Sequence, residues 1–242
     1  METGMLATPE KLAVLPEEAL PHPCISNADA VPLELTLIDP AHPQRACTEA
    51  FVRSIFARAY GARLDIFYPV LLRITRPDGS YAAVAGVRRA NEQALFSEHY
   101  LKQPADKILC TKRSGIVEVG NLAPASIGQA RWLIGTLTAF LTGAGFSNVV
   151  FTAVPRLRNA FSRMGLPLTR LAEARSDCLP DDLAEDWGSY YESDPAVYSS
   201  DLRLGFRAFT QLMAIHPNLR DILQQAYKAG KAFTNIRVPE DR

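Results

Sequence analysis

A single carboxylate, Glu118, stands inside an otherwise apolar run, IVEVGNLAP at 116–124. A carboxylate in a half-buried strand costs free energy unless it is paired or used. Strand alternation puts Glu118, Gly120 and Leu122 on one face and Val119 and Asn121 on the other. Glu118 then has two readings. It is a general base tuned by burial, or an ion-pair partner for Arg88 or Arg89 on an adjacent strand. Asn121 could orient a carbonyl or satisfy a turn. Upstream, residues 88–101 gather Arg88, Arg89, Glu92, Glu98, His99 and Tyr100. His99 could act in proton transfer, although a lone histidine is more often structural. Tyr100 could donate to a leaving group. No Ser-His-Asp order or nucleophile elbow accompanies them, so covalent serine catalysis is unsupported. Cys110 has Lys112 and Arg113 nearby, which could lower a thiol pKa, but no catalytic partner can be nominated for it.

The elements that must position these groups are readable around them. Residues 116–124 form a strand, QARWLIGTLTAFLTGAG a helix, NVVFTAV a strand and RLRNAFSRMG a short helix. A crossover of this length favours parallel neighbours joined in the right-handed sense. The turn into the long helix holds Ser126, Gly128 and Gln129. Helix N-termini attract anions, so this junction is a phosphate cradle or an ordinary cap with Ser126 as cap residue. Asn159 opens a segment, NAFSRMGL, that either lines a cofactor thiol or is a capped amphipathic helix. Earlier, LELTLID at 33–39 alternates as a strand, and Pro43 starts a helix to about Tyr60. Its Cys47, Phe51, Ile55, Phe56 and Ala59 are expected to share a buried face. Strands at 67–75 and 80–90 flank Pro77-Asp78-Gly79, a hairpin signal. Residues 94–101 read as a short helix or loop, 102–114 as a polar connection and 177–186 as an acidic loop. Two helices, about 200–215 and 218–232, are split by Pro217, with Leu202, Phe206, Phe209 and Met213 on one face of the first.

Composition narrows the function classes. The 242 residues carry 26 basic and 26 acidic side chains, so no global field attracts nucleic acid or an anionic membrane. The four cysteines, Cys24, Cys47, Cys110 and Cys178, lack a disulfide framework and read as reduced thiols. Cys47 reads as a small core residue. His22, His42, His99 and His216 are scattered, so no metal site is expected. Pro9, Pro16, Pro21 and Pro23 break the first 32 residues into a flexible lead-in with no signal-peptide pattern. The apolar stretch from Trp132 to Phe146 falls short of the ~20 residues that span a bilayer. A cytoplasmic protein without a transmembrane segment is expected. It comprises a lead-in (1–32), one domain (33–198) and a C-terminal helical extension (199–242).

Together, the strand, helix, strand and Asn-containing helix resemble a GNAT-type acyltransferase core. IVEVGNL is similar to the E-(I/V)-S-R-F strand of acyl-homoserine-lactone synthases. Glu118 matches the acidic residue, Asn121 stands for the arginine, and the N-terminal tryptophans are absent. PASIGQA replaces the Q/R-x-x-G-x-G/A loop and offers only Gly128. Over Leu33 to Tyr198 the chain resembles the bacterial thermostable hemolysin family, through YGARLDIFYPVLL, AGVRR, LFSEHYL, VEVGNLA, FTAVPRLRNAFSRMGLP and DWGSYYESDP. The resemblance implies an α/β, GNAT-like acyltransferase fold, with a mixed central sheet flanked by helices and extra C-terminal helices. It implies transfer of an acyl group from a phosphopantetheine thioester to an amine or hydroxyl of a small-molecule acceptor. Acyl carrier protein or coenzyme A bears that donor as co-substrate, and no cofactor is tightly bound. Glu118 would act as base, with Asn121, His99 and Tyr100 beside it. Val119, Gly120, Leu122, Ser126, Gly128, Gln129 and Asn159 would hold the donor. Arg88, Arg89, Glu98, Phe151, Trp187 and Tyr190 would meet acceptor and acyl chain, with Tyr191 helping to close over the chain. Arg156, Arg158 and Arg163 would dock an acidic carrier. The C-terminal helices would form a homodimer contact. The alternative implied by the family's name is a membrane-active lytic protein whose amphipathic C-terminal helices insert at the interface.

Overall fold

The Pro77-Asp78-Gly79 turn closes as its residue types predict. Gly79 adopts φ +81° and its amide donates to the Arg76 carbonyl (2.9 Å), while Asp78 accepts from the Ser80 amide (2.9 Å). This turn joins β2 (Val70–Thr75) to β3 (Tyr81–Arg89) as an antiparallel pair. The computed structural model describes residues 33–126, 129–180, 183, 187–215 and 217–233. The expected lead-in at 1–32, Gly128 and most of the acidic loop at 181–186 lie outside them.

Seven strands form one sheet in the order β1-β2-β3-β4-β5-β7-β6. β1 (Glu34–Ile38) is one edge and β6 (Thr169–Glu173) the other. β4 (Ile116–Pro124) and β5 (Asn148–Ala153) run parallel, joined through α3 (Ala130–Gly143), and every other pair is antiparallel. β7 (Ala196–Asp201) lies between β5 and β6. Neither β6 nor β7 is read from the sequence, and the boundary expected after residue 198 falls inside β7. The strand expected from residue 67 starts at Val70, because residues 66–68 are held in a loop.

Two irregularities in β4 shape the site. The β4–β5 ladder pairs only Ile116–Val119 with Asn148–Phe151. Further along, Gly86 pairs with Gly120 and Val84 with Ala123. Asn121 and Leu122 therefore oppose Ala85 alone, and Asn121 takes φ +48°. Such a bulge bends its strand, and past Val119 the two parallel neighbours no longer bond to each other.

The helices cover both faces. α1 (Arg45–Tyr60) buries Thr48, Val52 and Phe56, a stripe spaced by four residues. Cys47 is exposed, one residue off that stripe, which corrects its reading as a core residue. α2 (Ala105–Ile108) adds one turn to the polar connection, and α4 (Pro155–Arg163) follows β5. α3 is apolar around its circumference because it is sandwiched. The sheet lies on one side, with α5 (Leu202–Ile215) and α6 (Pro217–Phe233) on the other. Phe209, Ile222, Leu223 and Phe233 belong to the same buried cluster as the strands. Gly143 and Gly230 let α3 and α6 meet backbone to backbone. A Cβ on Gly143 would collide with the Tyr227 carbonyl oxygen, and one on Gly230 with that of Phe140. No described helix is long and apolar enough to cross a membrane.

Candidate active site

Where β4 and β5 part, they open a cavity of about 400 Å3. Val119, Gly120, Asn121, Leu122 and Pro124 form one wall, and Thr152, Ala153 and Val154 the facing one. Phe56, Ala59 and Tyr60, at the end of α1, close it with Phe96, Tyr100, Trp187 and Tyr190. Arg58 and Arg156, both exposed, belong to the lining. Ser126 and Ala130 bring the start of α3 to the same opening.

Glu118 is buried, 1% exposed, and is not on the cavity wall. Its carboxylate accepts the Phe96 amide at Oε2 (2.8 Å) and the Ser97 amide at Oε1 (2.6 Å). It thereby holds the 3-10 turn Phe96–Tyr100, which presents Phe96 and Tyr100 to the cavity. Burial pushes its pKa up, opposed by Ser97, the Arg88 charge and the Phe96 amide. Neither expected ion pair forms. Arg88 faces Glu118 across the β3–β4 ladder, but its guanidinium lies 4.4 Å from the Tyr68 ring centre. Arg89 pairs with Glu92 (3.0 Å), donates to the Phe233 carbonyl (2.7 Å) and covers the Phe233 ring, so it anchors α6.

Asn121 has a defined task. Its Oδ1 accepts the Tyr68 amide (3.0 Å) and its Nδ2 donates to the Ile66 carbonyl (3.1 Å). The bulged strand thus pins the loop before β2, and Tyr68 is laid across the cross-strand pair Gly86–Gly120. A Cβ at Gly86 would come within 2.8 Å of the Tyr68 Cβ, and one at Gly120 within 2.6 Å of its Cζ. Tyr68 lines the cavity. Its phenol is raised well above the ordinary tyrosine range, first by burial and next by the Glu118 carboxylate. Nothing in the local sequence marks Tyr68. The signal that could have found it is the isolated glycine in each of two strands, which indicates close approach by another group.

The Tyr100 hydroxyl meets that of Tyr191 at 2.6 Å. Burial, then the Tyr191 hydroxyl, raises the Tyr100 pKa, and Tyr191 is pushed up to about 12, mainly by burial. Both stay protonated near neutrality, and one hydroxyl of the pair donates to the other. Trp187 is anchored by its indole N–H to the Leu183 carbonyl (2.8 Å) and packs on Tyr190.

The remaining predicted site residues lie elsewhere. His99 is exposed, edge-on to Phe96. Glu98 accepts the Leu95 and Ala105 amides and pairs with Arg113 at 2.7 Å, so it holds its own loop. Phe151 is stacked on Phe161 in the core, 4.6 Å between centroids. Asn159 is exposed and accepts from the Arg158 guanidinium (2.8 Å). Gln129 precedes α3 without a side-chain cap bond and is not on the cavity wall. Among the described residues no cluster of His, Cys, Asp and Glu could hold a metal.

A family model described as thermostable hemolysin matches residues 38–206. No curated protein matches the sequence. Among solved structures, TofI in a ternary complex with an inhibitor and MTA is similar with a TM-score of 0.52 and 14% identity, over 70% of this chain and 91% of that one. A CoA-dependent acyl-homoserine lactone synthase, BjaI, with SAM and isopentyl-CoA, is similar with a TM-score of 0.50 and 13% identity, over 84% of this chain and 99% of that one. At these identities the likeness is one of fold, a mixed sheet flanked by helices.

Proposed function

From a chain that belongs to the thermostable hemolysin family, we propose an acyltransferase that moves an acyl group from a phosphopantetheine thioester to an amine or hydroxyl of a small acceptor. The carrying observation is the cavity between the parted ends of β4 and β5. Beyond Val119 and Phe151 the facing edges of these strands have no ladder partner in each other. An extended arm bearing amide groups can bond to such edges as an added strand would. The thioester carbonyl would then lie near the backbone N–H groups of Val119 to Leu122, which polarise it. The aromatic end, Phe56, Tyr60, Phe96, Trp187 and Tyr190, suits an acyl chain. Arg58 and Arg156 would favour the phosphate of the arm, and Arg158 and Arg163, further along α4, an acidic carrier protein. In this reading Glu118 is the ultimate base, and Tyr100 donates to the departing thiolate.

The family's name denotes lysis, and acyl transfer would produce it through chemistry. An acylated product with a polar head is a detergent, and lysis would follow from its accumulation. The amphipathic helices that a direct lysin would insert already bury Phe209, Leu223 and Phe233 against α3 and the sheet. Ala160, on α4, also lines the cavity. The test is mass spectrometry of lipid extracts from cells expressing the protein, with a cavity-filling Ala160→Trp variant beside it. A new acylated metabolite lost in the variant is expected. No new metabolite, with pure protein lysing red cells in the absence of any acyl donor, would overturn the proposal.

A further inference from the structure

Glu118 is buried and absent from the cavity wall, whereas Tyr68 lines the cavity and feels the Glu118 carboxylate from within the sheet. Tyr68, Arg88, Glu118, Gly86 and Gly120 share one face of the sheet. Glu118 pairs with Arg88 and Gly120 with Gly86 in the β3–β4 register, and the Arg88 guanidinium covers the Tyr68 ring at 4.4 Å. The phenol end of Tyr68 rests on Gly120, where an added Cβ would lie 2.8 Å from its hydroxyl oxygen. Gly120 itself lines the cavity. Tyr68 is 6% exposed and its backbone is fixed twice, its amide to Asn121 (3.0 Å) and its carbonyl to Arg45 (2.8 Å). Two glycines cleared for one ring, a cation on its face and a buried carboxylate two residues along the strand are more than a space-filling tyrosine requires.

We propose that Tyr68 is the catalytic residue that contacts the acceptor and passes its proton to Glu118. This deepens the acyltransferase reading and rests on it. As the acceptor nitrogen or oxygen bonds to the thioester carbon, its proton goes to the Tyr68 oxygen while the Tyr68 proton goes to a Glu118 oxygen. Collapse of the tetrahedral adduct breaks the carbon–sulfur bond. The thiolate leaves and takes up one proton, and Glu118 releases its own to solvent. The sum is acceptor plus thioester giving acylated acceptor plus thiol, with no other reactant. Arg88, over the ring, stabilises negative charge on the phenol oxygen during the transfer.

The decisive variant is Tyr68→Phe, which keeps the ring in its glycine notch and under Arg88 but removes the hydroxyl. Purified protein is given acyl-coenzyme A and acyl-carrier-protein donors with a panel of amines and alcohols, and both thiol release and acylated product are followed. The expected result is a kcat lower by about 100-fold, with the KM for the donor and the melting temperature unchanged. In the parent the rate falls as Glu118 becomes protonated at low pH, and this limb is lost in the variant. A Tyr68→Phe enzyme with parental kcat and pH profile overturns the relay and leaves the acyltransferase standing. A parent that transfers nothing from any donor overturns the acyltransferase reading, and the relay with it.

Discussion

Two carboxylates twenty residues apart cap the same 3-10 turn yet respond oppositely to it. Glu118 accepts the Phe96 and Ser97 amides with no ion pair among the described residues, and burial wins, raising its pKa. Glu98 accepts the Leu95 and Ala105 amides. Burial again pushes it up, but the Arg113 guanidinium and the two amides together outweigh that and lower it. The pH consequences have opposite signs. Glu98 contributes stability at neutral pH that is lost as pH falls from the ordinary carboxylate value of ~4.3 through its lower folded value. Glu118, bound more tightly to its proton when folded, lowers stability as pH rises through the window above that value. Glu98→Gln is therefore expected to cost about 1–2 kcal/mol at pH 7, since a charge-assisted, partly exposed pair is lost. It should also give a shallower loss of stability in acid, which urea titrations at pH 7 and pH 3 would check. The sequence pointed to Glu118 because a lone acid in an apolar strand is anomalous. It could not separate base from ion-pair partner, because Arg88 reaches over Tyr68 instead, a choice made by a residue fifty positions upstream of the acid.

A bulge and a helix contact organise the elements. Asn121 can hold φ +48° because its short amide tolerates that region, and the same amide ties down residues 66–68. Asn121→Gly keeps the backbone freedom and deletes both bonds. It is expected to cost about 1–2 kcal/mol and to speed hydrogen exchange at the Tyr68 amide well beyond the global opening rate, as native-state exchange would reveal. The α3–α6 contact makes the opposite use of a missing side chain. By helix propensity alone Gly143→Ala should stabilise by ~1 kcal/mol. Because the new methyl meets the Tyr227 carbonyl oxygen, a destabilisation of about 3 kcal/mol is expected instead. The sign of the change in thermal midpoint decides between local preference and packing.

The C-terminal helices are part of the folded unit, whatever boundary their amphipathic pattern suggests. β7 joins β5 to β6, and α5 and α6 complete the cluster that contains β2, β3, β4 and β5. A chain ending at Asp201 is expected to lose its cooperative thermal transition by circular dichroism, since Phe209, Leu223 and Phe233 leave the core together. Persistence of that transition would mean that the helices are an appendage. By itself the sequence determined the β4–α3–β5–α4 run, the β2–β3 hairpin and both terminal helices, because hydrophobic period and turn chemistry are local. It also pointed to β4 as the strand to search for a site, through the lone acid Glu118. Only the tertiary structure decided where β4 leaves β5, which aromatic side chains close the cavity, and that Tyr68, rather than Glu118, lines it. Those facts depend on contacts such as Asn121 with Tyr68, 53 residues apart, and on short strands such as β7, whose AVYSSD carries no period of its own. A contact across the sheet leaves no trace in the spacing of either partner, except for the glycines that make room for it.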